Sequence, residues 1–412
     1  MDGHVTIIGA GIVGICTAIS LCERGFSVRL IDRGIPGQET SFGNAGVISP
    51  WSIIPQSMPG IWKTLPGLLL DRDSPLSVRP RFWPRMIPWG LRFLRHATEE
   101  KARAASDCME YLCGPSVDLY RRLLAGTGHE DLLAESYYIH AFRTADKASL
   151  KNLDYRIRVE KGGDLALIGP RELQTLEPGL SSDFKAAVVI KGQARARAPG
   201  QLGQVLTAKA RGLGIEVVQA EVIRLSHQNG SWTIFAKGQN FTAPRVVLAA
   251  GVWSADLLRA LGITLPLVAE RGYHVEFAAP GVTLNHSVMD VDGKAVASSM
   301  LGGLRLAGTA EFAAIDAPPD PRKQAILTRQ AKAMCPDLST AQGSFWMGRR
   351  PSFPDSLPAL GAVPGQDGLF AAFGHSHYGL MMAPKTGEVL ADIISGCPAN
   401  APLDALKMDR FL

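Results

Sequence analysis

Val5-Thr6-Ile7-Ile8-Gly9-Ala10-Gly11-Ile12-Val13-Gly14 is the stretch on which the fold turns. Its first four residues are apolar or β-branched, the composition of a buried parallel strand. The glycines that follow fall in G-x-G-x-x-G spacing. From Ile12 to Leu21 apolar residues fill a helix, Glu23 and Arg24 supply its polar end, and Gly25 stops it. Ser27 to Ile31 then reads as a second strand that ends at Asp32. A pyrophosphate suits this arrangement because the N–H groups at the positive end of the helix, around Gly11, Ile12 and Val13, meet it. Gly9 permits the tight turn, Gly11 lets a phosphate approach the main chain, and Gly14 lets helix and strand pack closely. Asp32 stands where its carboxylate accepts the ribose hydroxyls of an adenosine, and Arg33 beside it belongs to the same expected site. The spacing alone also occurs in glycine-bearing turns of unrelated α/β proteins. Strand, helix, second strand and terminal Asp in register point to a dinucleotide.

The rest of the composition narrows the class. A chain of 412 residues implies two or three lobes, and 46% hydrophobic residues with 20% charged ones excludes disorder. The formal charge of +5 carries no general field for nucleic acid. Six cysteines, Cys16, Cys22, Cys108, Cys113, Cys335 and Cys397, form no C-x-x-C pair, which fits a thiol-reducing compartment and offers no structural metal site. The run from Val5 to Cys22 is uncharged, yet the preceding residues hold no Lys or Arg and the run is broken by glycines, unlike a signal peptide. Thr40 to Trp62 is also uncharged, but Pro50, Pro55 and Pro59 argue against a spanning helix.

The fingerprint does not separate NAD from FAD; later segments bear on that choice. After Asp32 the loop Thr40-Ser41-Phe42-Gly43-Asn44-Ala45-Gly46 is rich in small and hydrogen-bonding residues. Arg245 to Leu248 reads as another buried strand, followed by Ala249-Ala250-Gly251. Gln201 to Leu213 reads as a helix, Ile215 to Val218 as a strand, and Val222 leads into a hairpin-like sheet. Leu369 to Phe373 is a strand, Gly374-His375-Ser376-His377-Tyr378-Gly379 a turn, and Leu380 to Ser395 an apolar helix. A second glycine turn suits a cofactor whose ring lies far from its adenosine.

These pieces resemble the flavin-dependent D-amino-acid oxidase and glycine oxidase superfamily, with the bacterial D-amino-acid dehydrogenases the nearest branch. The matching elements are Gly9 to Gly14 with Asp32, Ser41 to Gly46, Arg271-Gly272-Tyr273, Trp346 to Pro351 followed by Asp355 and Pro358, and Gly374-His375 with Gly379. Arg349 departs from the usual hydrophobic residue before the motif arginine, so the family's carboxylate-binding arginine maps to Arg350. No cysteine stands near Met347, where the covalently flavinylated sarcosine oxidases carry one, so the FAD is expected to be noncovalent. The resemblance implies FAD contacts at Ser41, Asn44, Ala45, Gly46, Val222, Ala250, Gly251, Gly374, His375, Gly379 and Leu380.

It also implies a catalytic set. Arg350 would pin a substrate carboxylate through its guanidinium fork, Tyr273 would add a hydroxyl to it, and His375 would lie beside the flavin. The competing readings are an internal salt bridge, a core tyrosine and a capping histidine. The implied reaction oxidises an amino acid, expected to be a D-amino acid, by hydride transfer from the α-carbon to flavin N5. The imino acid then hydrolyses to a keto acid. D-proline or another secondary amine is an alternative donor, quinone or oxygen the electron acceptor. An electron-relaying flavoprotein subunit and a nicotinamide dehydrogenase are the alternatives of other classes.

The expected fold is α/β: a discontinuous Rossmann-like FAD-binding domain, residues 1–50, 188–262 and 345–412, with an α+β substrate domain of antiparallel sheet, residues 51–187 and 263–344. Within the latter, residues 51–97 hold Trp51, Trp62, Trp83 and Trp89 with Lys63, Arg72, Arg79, Arg81, Arg85, Arg92 and Arg95 against only Asp71 and Asp73. Leu68 to Leu70 add an apolar run. Such a segment reads either as a peripheral membrane contact or as a helical lid over the substrate entrance. The expected location is cytoplasmic, with that segment as a candidate contact to the inner face of the cell membrane.

Overall fold

The computed structural model describes residues 3–70, 74–397 and 403–412; the side chains of residues 69 and 70 are also outside the description. Asp71, Arg72 and Asp73 of the basic-aromatic segment therefore lie outside the described residues.

Strand β1 (His4–Ile8) is flanked on both sides by parallel partners, β2 (Ser27–Asp32) and the strand Arg245–Leu248. Burial on both faces is why its sequence is apolar throughout rather than alternating. Helix α1 (Ile12–Glu23) makes the crossover from β1 to β2. The complete sheet runs 359–362, 369–373, 245–248, β1, β2, 216–219, parallel except for its 359–362 edge strand. The turns after Ile8, Leu248 and Phe373 consequently open on one edge, at the carboxyl ends of parallel strands, where ligand crevices form.

Close packing sets the glycines there. Gly9 has φ +109, and a Cβ on it would lie 2.4 Å from the Ala249 carbonyl oxygen. One on Gly14 would lie 1.9 Å from the Gly9 carbonyl oxygen, so α1 can start only against a bare backbone. The final long helix, Gly379–Ser395, packs lengthwise on α1.

A larger sheet of ten strands contains, in order, 343–352, 268–277, 303–312, 295–300, 287–290, 133–142, 186–196 and 47–48, with 76–78 and 165–168 paired on its flanks. It is antiparallel except where 287–290 meets 133–142 and 76–78 meets 303–312. Three of its strands come from stretches expected in the coenzyme lobe: 47–48, most of 186–196, and 343–352. The boundary expected at residue 345 falls inside a strand, because Gly343–Ser352 pairs with Val268–Phe277 over its full ten residues. A small antiparallel sheet, 222–228, 231–236 and 239–243, accounts for the expected hairpin.

Residues 61–70 and 83–95 form helices α2 (Ile61–Leu70) and α3 (Trp83–Arg95). α3 buries Met86, Trp89 and Phe93 at i, i+3 and i+7 against Phe312 and leaves its other face outside. Among the described residues no helix is long and apolar enough to cross a membrane.

Candidate active site

A cavity of about 1350 Å³ extends from the β1 turn, past the loop 39–46 and the large sheet, to the turn before the last helix. At its first end the Asp32 carboxylate accepts the Ala10 N–H at 2.6 Å and the Gly34 N–H at 2.8 Å. Burial raises its pKa against those two donors, which leaves an acidic oxygen pair with capacity for hydroxyl donors. The Ile12 N–H is capped by the Ser41 hydroxyl at 3.0 Å, so of the first-turn donors Gly11 and Val13 remain to face the cavity. Arg33 stacks its guanidinium 3.9 Å from the Trp253 ring and pairs with Glu39. Gly9, Asp32, Val222, Ala250 and Gly251 also line this end. Gly14 and Gly46 do not: Gly14 is spent on helix packing, and Gly46 turns the chain at φ +79 while donating to Asn44 Oδ1.

The 39–46 loop is tied down by residues far away in sequence. Buried Arg305 donates Nη1 to the carbonyls of Phe42 and Asn44 and pairs with Glu276 at 2.6 Å. The His274 ring bonds the Gly43 carbonyl and stacks on Trp346, which lies against Gly43. Burial, helped by Arg305, lowers the His274 pKa to about 3, so its ring is neutral and Nδ1 carries the donated proton. Ser41, Asn44 and Ala45 are thereby presented to the cavity as a fixed edge.

Strand alternation organises the other wall. Across the pair Val268–Phe277 and Gly343–Ser352, Glu270 stands opposite Arg350, Gly272 opposite Gly348 and His274 opposite Trp346; of these, Glu270, Gly272, Trp346, Gly348 and Arg350 line the cavity. The Arg350 guanidinium lies flat over Gly272: a Cβ there would fall 2.1 Å from its Cζ. Its Nη1 donates to Glu270 Oε1 at 3.2 Å and to the Thr309 carbonyl at 3.0 Å, which leaves Nη2 and Nε for a ligand. Burial alone would raise the Glu270 pKa, but the His377 ring, Arg350 and the Ser352 hydroxyl bring it down to about 2. The Thr309 hydroxyl is buried in the cavity wall without a hydrogen-bond partner.

Tyr273 borders the cavity but stands one residue out of phase with Arg350, and its hydroxyl is engaged away from the expected carboxylate contact. Its hydroxyl donates to Glu311 Oε2 at 2.5 Å and accepts the Asp320 N–H at 3.1 Å, while its ring stacks on Phe345 in the core behind the sheet. Period-two geometry puts it on the face opposite Arg350, with Arg271 and Arg349. His375 lines the cavity through a ring whose Nε2 is bonded to Thr386 Oγ1 at 3.0 Å; burial lowers its pKa to about 3. It braces the last helix rather than offering a titrating group. The other ring at this turn, that of His377, lies with Nε2 2.5 Å from Glu270 Oε1.

A profile of the FAD dependent oxidoreductase family, DAO, matches residues 4–393. The chain belongs to this family. It is 34% identical over 417 residues to a D-amino-acid oxidase of Bradyrhizobium diazoefficiens, covering 99% of each, and 30% identical to a D-amino acid dehydrogenase of Vibrio atlanticus, covering 99% and 100%. Glycine oxidase from Geobacillus kaustophilus superposes with a TM-score of 0.77 at 23% identity, over 99% of this chain and 98% of that one, which shows the shared fold.

This DAO-family chain is thus an FAD-dependent oxidoreductase, and the residues present suit the coenzyme. An Asp32 carboxylate with accepting capacity to spare, open N–H groups at the start of α1 and a cavity long enough to connect two glycine turns fit an extended dinucleotide. Gly374, with φ +89 and a Phe353 ring 2.2 Å from where its Cβ would be, keeps the far turn tight, and Gly379 and Leu380 start a helix whose first N–H groups face the same space. Sequence reading missed Glu270, Arg305 and Thr309. Each lies on a strand of the large sheet whose partner is remote, and only the register shows which face it occupies.

Proposed function

We propose that the protein oxidises the Cα–N bond of an amino acid, most readily a D-amino acid, and releases an imino acid that hydrolyses to a keto acid and ammonia. Bound FAD would supply the two-electron acceptor. Gly11, Val13 and Asp32 would hold its pyrophosphate and ribose, and the edge Ser41–Ala45 with the turn Gly374–Leu380 would hold its ring. Arg350 would hold the substrate carboxylate through Nη2 and Nε, while Glu270 and the Thr309 carbonyl keep the guanidinium from swinging. Trp89 and Phe93 of α3 cover the outer part of the cavity, so water is excluded by the same helix that buries them.

The observation that carries this reading is the Arg350 guanidinium, laid flat in the wall of the cavity with two donors unspent. The names of the two relatives reported above support the D-series. Anaerobic mixing of the purified holoenzyme with D-, L- and N-alkyl amino acids, followed at the oxidised flavin band, tests it. D-amino acids should bleach the band; bleaching by N-alkyl substrates alone would move the substrate to the secondary amines, and bleaching by none would end the proposal.

We further propose that α2 and α3 rest on an anionic membrane, where a quinone could take the electrons. Trp62, Ile87 and Leu91 are each more than half exposed, and Trp83 and Leu94 stand beside them. Lys63, Arg81, Arg85, Arg92 and Arg95 surround this apolar face. Apolar anchors ringed by cations favour a lipid interface. On this reading lid and membrane contact would be two faces of one helix.

A further inference from the structure

Two non-glycine residues with left-handed backbone flank one carboxylate. Thr309 has φ +66 and Ser376 φ +51, strained conformations that persist where the surroundings enforce them. The Thr309 carbonyl takes Arg350 Nη1. The Ser376 hydroxyl bonds the Ser352 hydroxyl at 3.0 Å, which in turn donates to Glu270 Oε2 at 3.0 Å. The twist at Ser376 delivers the next residue, His377, to the same carboxylate: its Nε2 lies 2.5 Å from Glu270 Oε1, the oxygen that also takes Arg350. Glu270 is 3% exposed, whereas the His377 side chain is 37% exposed and lines the cavity. Among the described residues its Nδ1 has no hydrogen-bond partner.

We infer that His377 accepts the proton of the substrate's ammonium group, with Glu270 as the positioning carboxylate that holds the imidazole with Nε2–H inward and the Nδ1 lone pair toward the cavity. This rests on the reading of the cavity as an amino-acid site. An amino acid arrives as a zwitterion, and oxidation at the α-carbon needs the nitrogen lone pair. The N–H bond breaks with its electron pair left on nitrogen, and the proton forms a bond to Nδ1. The resulting imidazolium keeps its Nε2–H on a buried carboxylate, the arrangement by which a fixed carboxylate orients and stabilises a histidine base. With the substrate carboxylate on Arg350, the amine two bonds away falls toward the ring that shares Glu270 with that arginine. The proton leaves through the exposed edge of the ring.

Among the described residues, the charged and titratable groups placed about His377 come from the strands and from its own turn. The strands supply Glu270 and Arg350. Its own turn supplies His375, directed to Thr386, and Tyr378, whose hydroxyl donates to the Ile54 carbonyl at 2.7 Å; Arg158 and Tyr138 lie beyond Tyr378.

The test compares wild-type and His377→Gln holoenzyme, since Gln keeps an N–H donor for Glu270. Anaerobic flavin bleaching is measured against pH with several D-amino acids whose ammonium groups differ in acidity. In the wild type the low-pH limb of kcat/KM should be the same for every substrate, because the ionising group belongs to the protein. In the variant the rate near neutrality should fall about 100-fold, the limb should move to each substrate's own ammonium ionisation, and the loss should shrink at alkaline pH. An unchanged profile, or a loss equal at every pH, overturns the inference. Should the variant not fold, a wild-type limb that already tracks each substrate's ammonium overturns it. A readout without turnover is the affinity for 2-aminoisobutyrate, which has no α-hydrogen: its pH dependence in the wild type should differ from that in the variant, and identical dependence counts against the base. Failure of every amino acid to bleach the wild-type flavin would instead remove the amino-acid reading.

Discussion

At the scale of single residues, the wall that holds Arg350 depends on what is missing from Gly272. Gly272→Ala would place a methyl 2.1 Å from the guanidinium carbon and displace the fork from the substrate. The expected result is a rise in KM of roughly 100-fold with the flavin still bound, since misplacement of about 1 Å costs that much; steady-state kinetics on the yellow protein checks it. Glu270 makes a prediction about pH. Its folded pKa, about 2, lies below the ordinary 4.5, so the protein gains stability from its ionisation that is complete above about 4.5 and is lost as pH falls through about 2. Glu270→Gln should lower the melting temperature at neutral pH and flatten its dependence across that acid window, as thermal scans of both proteins would show. Arg350 and the opening glycines were readable as residue types in a motif. Glu270 was not, because a glutamate next to an arginine in Ala269-Glu270-Arg271 looks the same whichever of the two faces the cavity.

At the scale of elements, α1 read correctly from its apolar run and glycine stop and the helix Gly379–Ser395 from its apolar run, yet their mutual contact was not readable. Gly387 permits it: a Cβ there would lie 2.7 Å from the Cys16 carbonyl oxygen. Gly387→Val should force the two helices apart at a cost of about 1–3 kcal/mol, seen as a lower denaturation midpoint and weaker retention of FAD. Tyr273 shows the opposite difficulty. The strand was expected and exists, but a phase error of one residue carries a side chain from the ligand to the core, and the phase was set by pairing with Gly343–Ser352. For α3, composition left lid and membrane contact as alternatives; the helix buries Met86, Trp89 and Phe93 on one face, and the proposed membrane contact concerns the other. Ile87→Glu with Leu91→Glu should abolish cosedimentation with phosphatidylglycerol vesicles while bleaching by a soluble substrate stays within about two-fold of wild type, since surface changes of this kind perturb the fold little.

At the scale of the whole molecule, the dinucleotide end was legible because it is built from one continuous stretch, strand, turn, helix and strand within thirty residues. The amino-acid end was only partly legible because it is assembled from strands 268–277, 303–312 and 343–352 and the turn 374–379, brought together by sheet register rather than by sequence. Long-range pairing of the same kind places 186–196 and 343–352 in the large sheet. The two ends meet in one cavity, and the chemistry follows from that meeting. It is tested most directly by titrating the anaerobic flavin of wild-type and Arg350→Ala protein with a D-amino acid that the wild type oxidises. The variant should keep its flavin spectrum but need at least about 100-fold more substrate for half-maximal bleaching, the scale of loss expected when a charge-assisted anchor is removed. Equal titration curves for the two proteins, or a purified wild type without flavin, would contradict the account.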